Sequence, residues 1–139
     1  MKTNIIILLI IFIAMQFITI DKTNEATPKE LEMKMPENIY NLVKTACYDC
    51  HSNEVKWPWY SNIAPFSWAI NTHVKDGRKA LNFSEWENYP KEEKEKKIKE
   101  IFRTAYAAMP LRSYLWVHKE ADLTMEQRKM IRDWTGVRR

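Results

Sequence analysis

Glycine is almost absent from this chain, which contains two glycines, Gly77 and Gly136, in 139 residues. Glycine supplies the left-handed backbone of tight turns and the close backbone approach of phosphate-binding loops. The chain therefore has no glycine-rich cradle for a mononucleotide or dinucleotide, and the same scarcity argues against a turn-rich all-β fold. Its length is that of one domain.

Four segments carry apolar residues at helical spacing, and each is bounded by a start or stop signal. The sequence predicts helices at 36–47, 65–77, 90–109 and 124–136. Proline stands at the start of the first three, where its fixed φ and missing N–H are tolerated. A capping box of Thr124 with Gln127 opens the last. Since no strand-like alternation is present, these segments predict an all-α fold.

The N-terminal residues form an apolar run, IIILLIIFIAMQFITI at 5–20, which Lys2 precedes and Asp21 closes. This layout is typical of a signal peptide or a signal anchor, and the run lacks an evident cleavage site. We therefore expect residues 1–20 to anchor the protein on the periplasmic side of the inner membrane. The polar residues 21–35 predict a linker, and residues 36–139 predict the folded domain.

Charged residues are dispersed along the chain and leave a formal net charge of +4. No basic stripe is interleaved with aromatic residues, so nucleic acid is not an expected partner. The densest charge run, KEEKEKKIKE at 91–100, places Glu four residues before Lys. This order stabilises a helix and predicts a solvent-exposed face.

Both cysteines lie in one short motif, Cys47-x-x-Cys50, which His51 follows directly. Such a pair serves thiol redox chemistry, half of a zinc site or, with an adjoining histidine, covalent attachment of haem. The spacing lets both sulfurs form thioethers with the two vinyl groups on one porphyrin edge, and the histidine then ligates the iron. The motif therefore predicts one haem c, attached at Cys47 and Cys50, with His51 as the proximal ligand.

Two other interpretations of the cysteine pair stay open. A structural zinc site needs four ligands, and beyond the cysteines the chain offers only its histidines, without a second closely spaced pair. A thiol oxidoreductase suits an exported protein, but its cysteines are expected at a helix N-terminus beside a βαβ sheet.

Three longer stretches accompany the motif: CYDCHSNEVKWPWYSNIAPFSW at 47–68, GRKALNFSEW at 77–86 and MPLRSYLWVHKEADLTMEQRKMIRDW at 109–134. In these stretches the chain resembles the haem-binding domain family of bacterial c-type cytochromes, over about residues 36–136. The patterns WPWYS and LNFSEW are specific to that family. The resemblance implies a small cytochrome c-like helical domain wrapped around one covalently attached haem.

Met109 is the candidate for the second axial ligand. It follows a predicted helix, precedes a proline that fixes the loop, and lies far enough beyond His51 for the chain to circle a porphyrin. A thioether is a soft donor, and His/Met ligation raises the potential of a cytochrome c. His73 is the rival, since it lies on the apolar side of its helix and imidazole is the stronger ligand. His118, in a charged loop, is expected to be exposed or bonded to backbone.

Aromatic residues after the motif predict the walls of the cofactor site. Trp57, Trp59, Tyr60 and Trp68 offer broad surfaces that pack on a porphyrin, and their N–H and O–H groups can bond a haem propionate. Arg78, or alternatively Lys79, is expected to pair with a propionate. The competing interpretation of the rings is an ordinary aromatic core.

A haem with both axial positions filled by protein has no open site for a substrate. The sequence therefore predicts an exported electron carrier that docks briefly with redox partner proteins, rather than an enzyme. The alternatives are a haem-based sensor, in which Met109 is displaced by a ligand, and a thiol oxidoreductase built on Cys47 and Cys50.

Overall fold

The computed structural model describes residues 1–137, and within these residues it contains helices and connecting segments but no β-strand. The predicted all-α fold is confirmed. The α-helices of this part of the chain are α1 (Lys2–Met15), α2 (Glu37–Ala46), α3 (Tyr48–His51), α4 (Phe66–Ala80), α5 (Lys91–Ala107), α6 (Arg112–Leu115) and α7 (Met125–Trp134). Short 3-10 turns lie at Lys29–Leu31, Trp59–Asn62, Phe83–Asn88 and Lys119–Ala121.

Most helix ends follow their local signals. α2 and α5 each begin directly after a proline. α7 begins at the predicted capping box: the Thr124 hydroxyl accepts from the Gln127 N–H, and the Gln127 side chain accepts from the Thr124 N–H. Gly136, with a φ of 68°, then supplies the left-handed residue that follows many helices.

The predicted end of α4 is wrong, because the helix continues through Gly77 to Ala80. A β-carbon at position 77 would lie 2.9 Å from the carbonyl carbon of Cys50 and closer still to its oxygen. The turn that carries Cys50 thus packs directly on the α4 backbone. Glycine is needed at position 77 for this close approach and not for ending the helix.

The hydrophobic core lies among α2, α5, α7 and the Phe83–Asn88 turn. Its buried members include Met33, Ile39, Val43, Tyr48, Phe83, Trp86, Ile101, Leu123 and Ile131. The Tyr48 ring stacks on the Phe83 ring, with centroids 5.4 Å apart. Because Tyr48 lies between the two cysteines, burial of its ring fixes the orientation of the cysteine motif.

Residues 21–35, which the sequence predicts to be a linker, lie against the rest of the domain. The Asn24 side chain exchanges hydrogen bonds of 2.9 and 3.1 Å with the backbone of Val55. Met33 is buried in the core, and its N–H donates to the Phe83 carbonyl at 2.9 Å. The packed part of the chain therefore begins before residue 36.

α1 exposes apolar side chains from Ile5 to Ile13. The Gln16 side chain, just after the helix, exchanges hydrogen bonds of 2.9 and 3.2 Å with the Ala64 backbone. Among residues 1–137 there is no helix with both the length and the apolar character needed to cross a bilayer. The anchor predicted at residues 1–20 stays a prediction.

The charged face predicted at 91–100 is only partly exposed. Glu93 and Lys97 form a pair at 3.1 Å, as their spacing predicts. Lys97 is nevertheless buried, because its ammonium donates to the Ala80 carbonyl at 2.6 Å and lies 4.3 Å from the centre of the Tyr89 ring. This lysine joins α5 to the C-terminal end of α4, where a cation is favourable.

Candidate cofactor site

A single helical turn, α3, carries the cysteine motif. The N–H groups of Cys50 and His51 both donate to the Cys47 carbonyl, at 3.2 and 2.9 Å. These bonds close the turn and bring the two sulfurs and the imidazole within one turn of helix. Contact with Gly77 holds the turn on α4.

His51 has a fixed orientation, and its burial favours the neutral imidazole. Its Nδ1 lies 3.1 Å from the carbonyl oxygen of Leu81. Because a carbonyl only accepts hydrogen bonds, Nδ1 carries the proton and Nε2 keeps a free lone pair. Burial lowers the pKa of His51, although the Leu81 and Gly77 carbonyls oppose that shift. His51 is therefore prepared to bind a metal through Nε2.

The motif lines a cavity of about 610 Å³, within the roughly 300–1,000 Å³ that is usual for ligand and cofactor pockets. Most of its wall is apolar and comes from α3, α4 and two segments, 55–63 and 109–117. The predicted site residues that line the cavity are Cys47, Cys50, His51, Trp59, Tyr60, His73 and Met109.

Three predicted cofactor residues do not line the cavity: Trp57, Trp68 and Arg78. The Trp68 indole N–H donates to the Ile18 carbonyl at 3.1 Å. The Arg78 guanidinium donates to the Ser52 carbonyl at 2.8 Å and to the Asn24 side chain at 3.1 Å. These two side chains hold segment 18–24 to the domain, a role that their sequence neighbours give no means of predicting.

The two cysteines are poor nucleophiles in this environment. Burial is the main cause that raises the pKa of Cys47 to about 12 and that of Cys50 to about 11. Thiol–disulfide exchange requires the thiolate, which such environments disfavour. The arrangement therefore speaks against the thiol oxidoreductase interpretation.

Residues 1–137 contain no group of three or more His, Cys, Asp or Glu side chains arranged to hold a metal ion. The zinc interpretation requires such a group.

Sequence reasoning missed a polar cluster in the cavity wall. The Tyr114 hydroxyl donates to the Asp49 carboxylate at 2.7 Å, and the Tyr60 hydroxyl lies 2.7 Å from Nε2 of His118. The expectation for His118 is wrong, since its partners are side chains and its ring stacks on Tyr114 at 4.1 Å. No spacing rule links residues so far apart in the chain.

The sequence profile of a protein family described as a haem-binding domain matches residues 10–136 of the chain. The chain belongs to the haem-binding domain family. The family resemblance predicted from the motifs is confirmed, and the cavity around His51 is the candidate haem site of this haem-binding domain. No curated protein and no solved structure is significantly similar to the chain.

The cavity residues fit a haem. The Nε2 lone pair of His51 suits iron, and the apolar wall suits the face of a porphyrin. The Trp57 indole N–H is buried without a hydrogen-bond partner among residues 1–137, although Lys56 and Pro58 on either side line the cavity. A buried unsatisfied donor costs about 1–3 kcal/mol; since Trp57 itself does not line the cavity, the fit rests on His51 and the apolar wall.

Proposed function

We propose that this haem-binding domain holds one haem c covalently and carries single electrons. One observation supports the proposal above all others: a single turn directs Cys47, Cys50 and His51 into the wall of one cavity. The two sulfurs would hold the porphyrin through thioether links, and His51 would ligate the iron through Nε2. When bound, the haem supplies a one-electron iron couple.

Met109 is the proposed second ligand, which would leave no open position for a substrate. It lines the same cavity as His51, and Arg128 fixes its backbone by donating to the Met109 carbonyl at 2.5 Å. The same guanidinium nitrogen donates to the Ala105 carbonyl at 2.9 Å and so ties the end of α5 to this loop. His73 also lines the cavity and remains the rival ligand.

The proposed partners are redox proteins that dock at the cavity rim. Trp59, Phe66 and Trp116 line the cavity, yet they are 73 %, 61 % and 75 % exposed. Aromatic side chains of this kind are enriched in protein interfaces. An apolar rim beside the haem would let a partner approach the porphyrin edge, which is what rapid electron transfer requires.

Export to the periplasmic side of the inner membrane is part of the proposal. The apolar run at 5–20 behind Lys2 supports it, as does the exposure of α1 side chains. Haem c attachment also suits an exported protein. Fractionation of cells that express the full chain tests this point, because cytoplasmic recovery of mature protein would contradict it.

Mass spectrometry of denatured protein from a host that attaches haem c tests the covalent link. We expect the polypeptide mass increased by one haem, and visible spectra that change between the oxidised and reduced states. The bare polypeptide mass would refute covalent attachment. Rapid and complete binding of carbon monoxide to the reduced parent protein would instead favour the sensor function.

A further inference from the structure

The segment from Met109 to His118 crosses the cavity wall and includes only the short helix α6. Helix packing alone therefore gives it little support. Side-chain hydrogen bonds join it to the rest of the domain at both ends and in the middle. Arg128 holds its first residue, Asp49 holds Tyr114, and Tyr60 holds His118.

The middle contact reaches the cysteine motif itself. Asp49 lies between Cys47 and Cys50, and its Oδ2 accepts the Tyr114 hydroxyl at 2.7 Å. Its Oδ1 accepts the Lys56 N–H at 3.1 Å, so the carboxylate is oriented from two sides. Burial, and next the Asp49 bond, raise the pKa of Tyr114, which keeps the hydroxyl protonated as a donor.

The end contact is made by three rings. Nε2 of His118 lies 2.7 Å from the Tyr60 hydroxyl, and Nδ1 lies 3.1 Å from the Glu120 carboxylate. The His118 ring stacks on Tyr114 with an angle of 7° between planes. Tyr60 and Tyr114 both line the cavity, so the two contacts form one continuous part of its wall.

We infer that Tyr114 with Asp49, and His118 with Tyr60, are positioning pairs that hold Met109 at the haem iron. This inference rests on the proposed function, because it takes Met109 as the second ligand. The pairs join the methionine segment to the turn that carries the proximal ligand, and thereby resist the opening that would free the sixth coordination position. Without them, Met109 leaves the iron more often and external ligands bind faster.

The test uses holoprotein of the full chain, with Tyr114→Phe and Tyr60→Phe as matched losses of one hydroxyl. Each keeps the ring in the cavity wall and removes one bond. We expect each variant to bind carbon monoxide in the reduced state on the order of tenfold faster than the parent. The reason is that one hydrogen bond which opposes the release of Met109 from the iron has been lost. The long-wavelength absorption of methionine-ligated ferric haem should weaken in parallel.

Variants of Asp49 separate positioning from packing. Asp49→Ala should be at least as fast as Tyr114→Phe, because it also removes the acceptor of the Lys56 N–H. Asp49→Asn, which keeps an acceptor oxygen, should restore the rate towards the parent value. The double variant Asp49→Ala with Tyr114→Phe should be no faster than Asp49→Ala alone, because that variant has already lost the Tyr114 bond. Rates are expressed per bound haem, so that differences in attachment do not enter.

Tyr106→Phe is the control, since Tyr106 is exposed and lies outside the cavity wall. Met109→Ala is the positive control and should bind carbon monoxide rapidly. If it does so while Tyr114→Phe, Tyr60→Phe and Asp49→Ala bind at the parent rate, the inference is overturned and the proposed function stays intact. If Met109→Ala itself leaves the spectra and rates unchanged, the ligand assignment fails, and the positioning role fails with it.

Discussion

The two parts of the chain that meet at the cavity are held in different ways. The turn with Cys47, Cys50 and His51 is held mainly by main-chain groups, namely its own closing bonds, the close approach to Gly77 and the Leu81 carbonyl on His51, and by the buried ring of Tyr48. The segment 109–118 is held by side chains that come from distant parts of the sequence. The difference indicates that the cysteine turn is fixed by the fold, whereas single side-chain substitutions can loosen segment 109–118.

Removal of both thioether positions should have the largest effect. Cys47→Ala with Cys50→Ala should abolish covalent haem and lower the free energy of unfolding, because a small domain loses a large part of its apolar core together with the cofactor. Mass spectrometry and thermal unfolding measure the two effects. A double variant that unfolds like the parent would show that haem does not organise the fold.

Gly77→Ala tests the backbone contact between α4 and the cysteine turn. The added methyl group meets the Cys50 carbonyl, so the backbone at Cys50 would have to shift. We expect a loss of about 3 kcal/mol in the free energy of unfolding, measured by chemical denaturation. Gly136→Ala is the control: no atom lies within 4 Å of the added carbon, and only its positive φ opposes the change. If Gly77→Ala lowered the free energy of unfolding less than Gly136→Ala, the close backbone contact would not be what holds the cysteine turn.

Arg128→Met tests how segment 109–118 is held. The substitution keeps most of the side-chain volume but removes the donors to the Leu123, Ala105 and Met109 carbonyls. We expect a loss of about 2 kcal/mol, with faster proteolysis near residue 109. Lys129→Met, at an exposed neighbour on α7, is the matched control and should change stability little. If Arg128→Met and Lys129→Met lowered the free energy of unfolding equally, the Arg128 hydrogen bonds would not be what holds segment 109–118.

Met109→Ala should have the smallest effect on stability, about 1 kcal/mol, because the side chain is only partly buried. Its effect on the iron should be pronounced: covalent haem stays, the reduction potential falls, and the reduced protein binds carbon monoxide. His73→Ala, measured in the same way, should leave the spectra unchanged. The opposite result for the two variants would assign the ligand role to His73.

Local rules predicted the helices well, and failed where a residue serves a distant contact. The capping box at Thr124 acts within one turn, and it is present as predicted. Glycine is a common residue at helix ends, yet Gly77 lies inside α4. It is glycine because the Cys50 backbone packs against it. Lys97 belongs to a charged run but turns inwards to the Ala80 carbonyl.

The candidate site divides in the same way. The side chains of Cys47, Cys50 and His51 line one cavity, as their adjacency predicts. Arg78 is expected at a propionate because arginine pairs well with carboxylates, yet its guanidinium donates hydrogen bonds to Ser52 and Asn24. Asp49 and Tyr114 carried no signal, since nothing in the sequence relates one to the other.

The sequence by itself determined the helical class and the family, because these depend on spacings within a few residues or on stretches that can be read directly. Only the tertiary structure decided which face of each helix meets the cavity, why position 77 is glycine, and which side chains hold the Met109 segment. Those contacts join residues that are tens of positions apart, and their distances follow from the path of the folded chain, which no local pattern specifies.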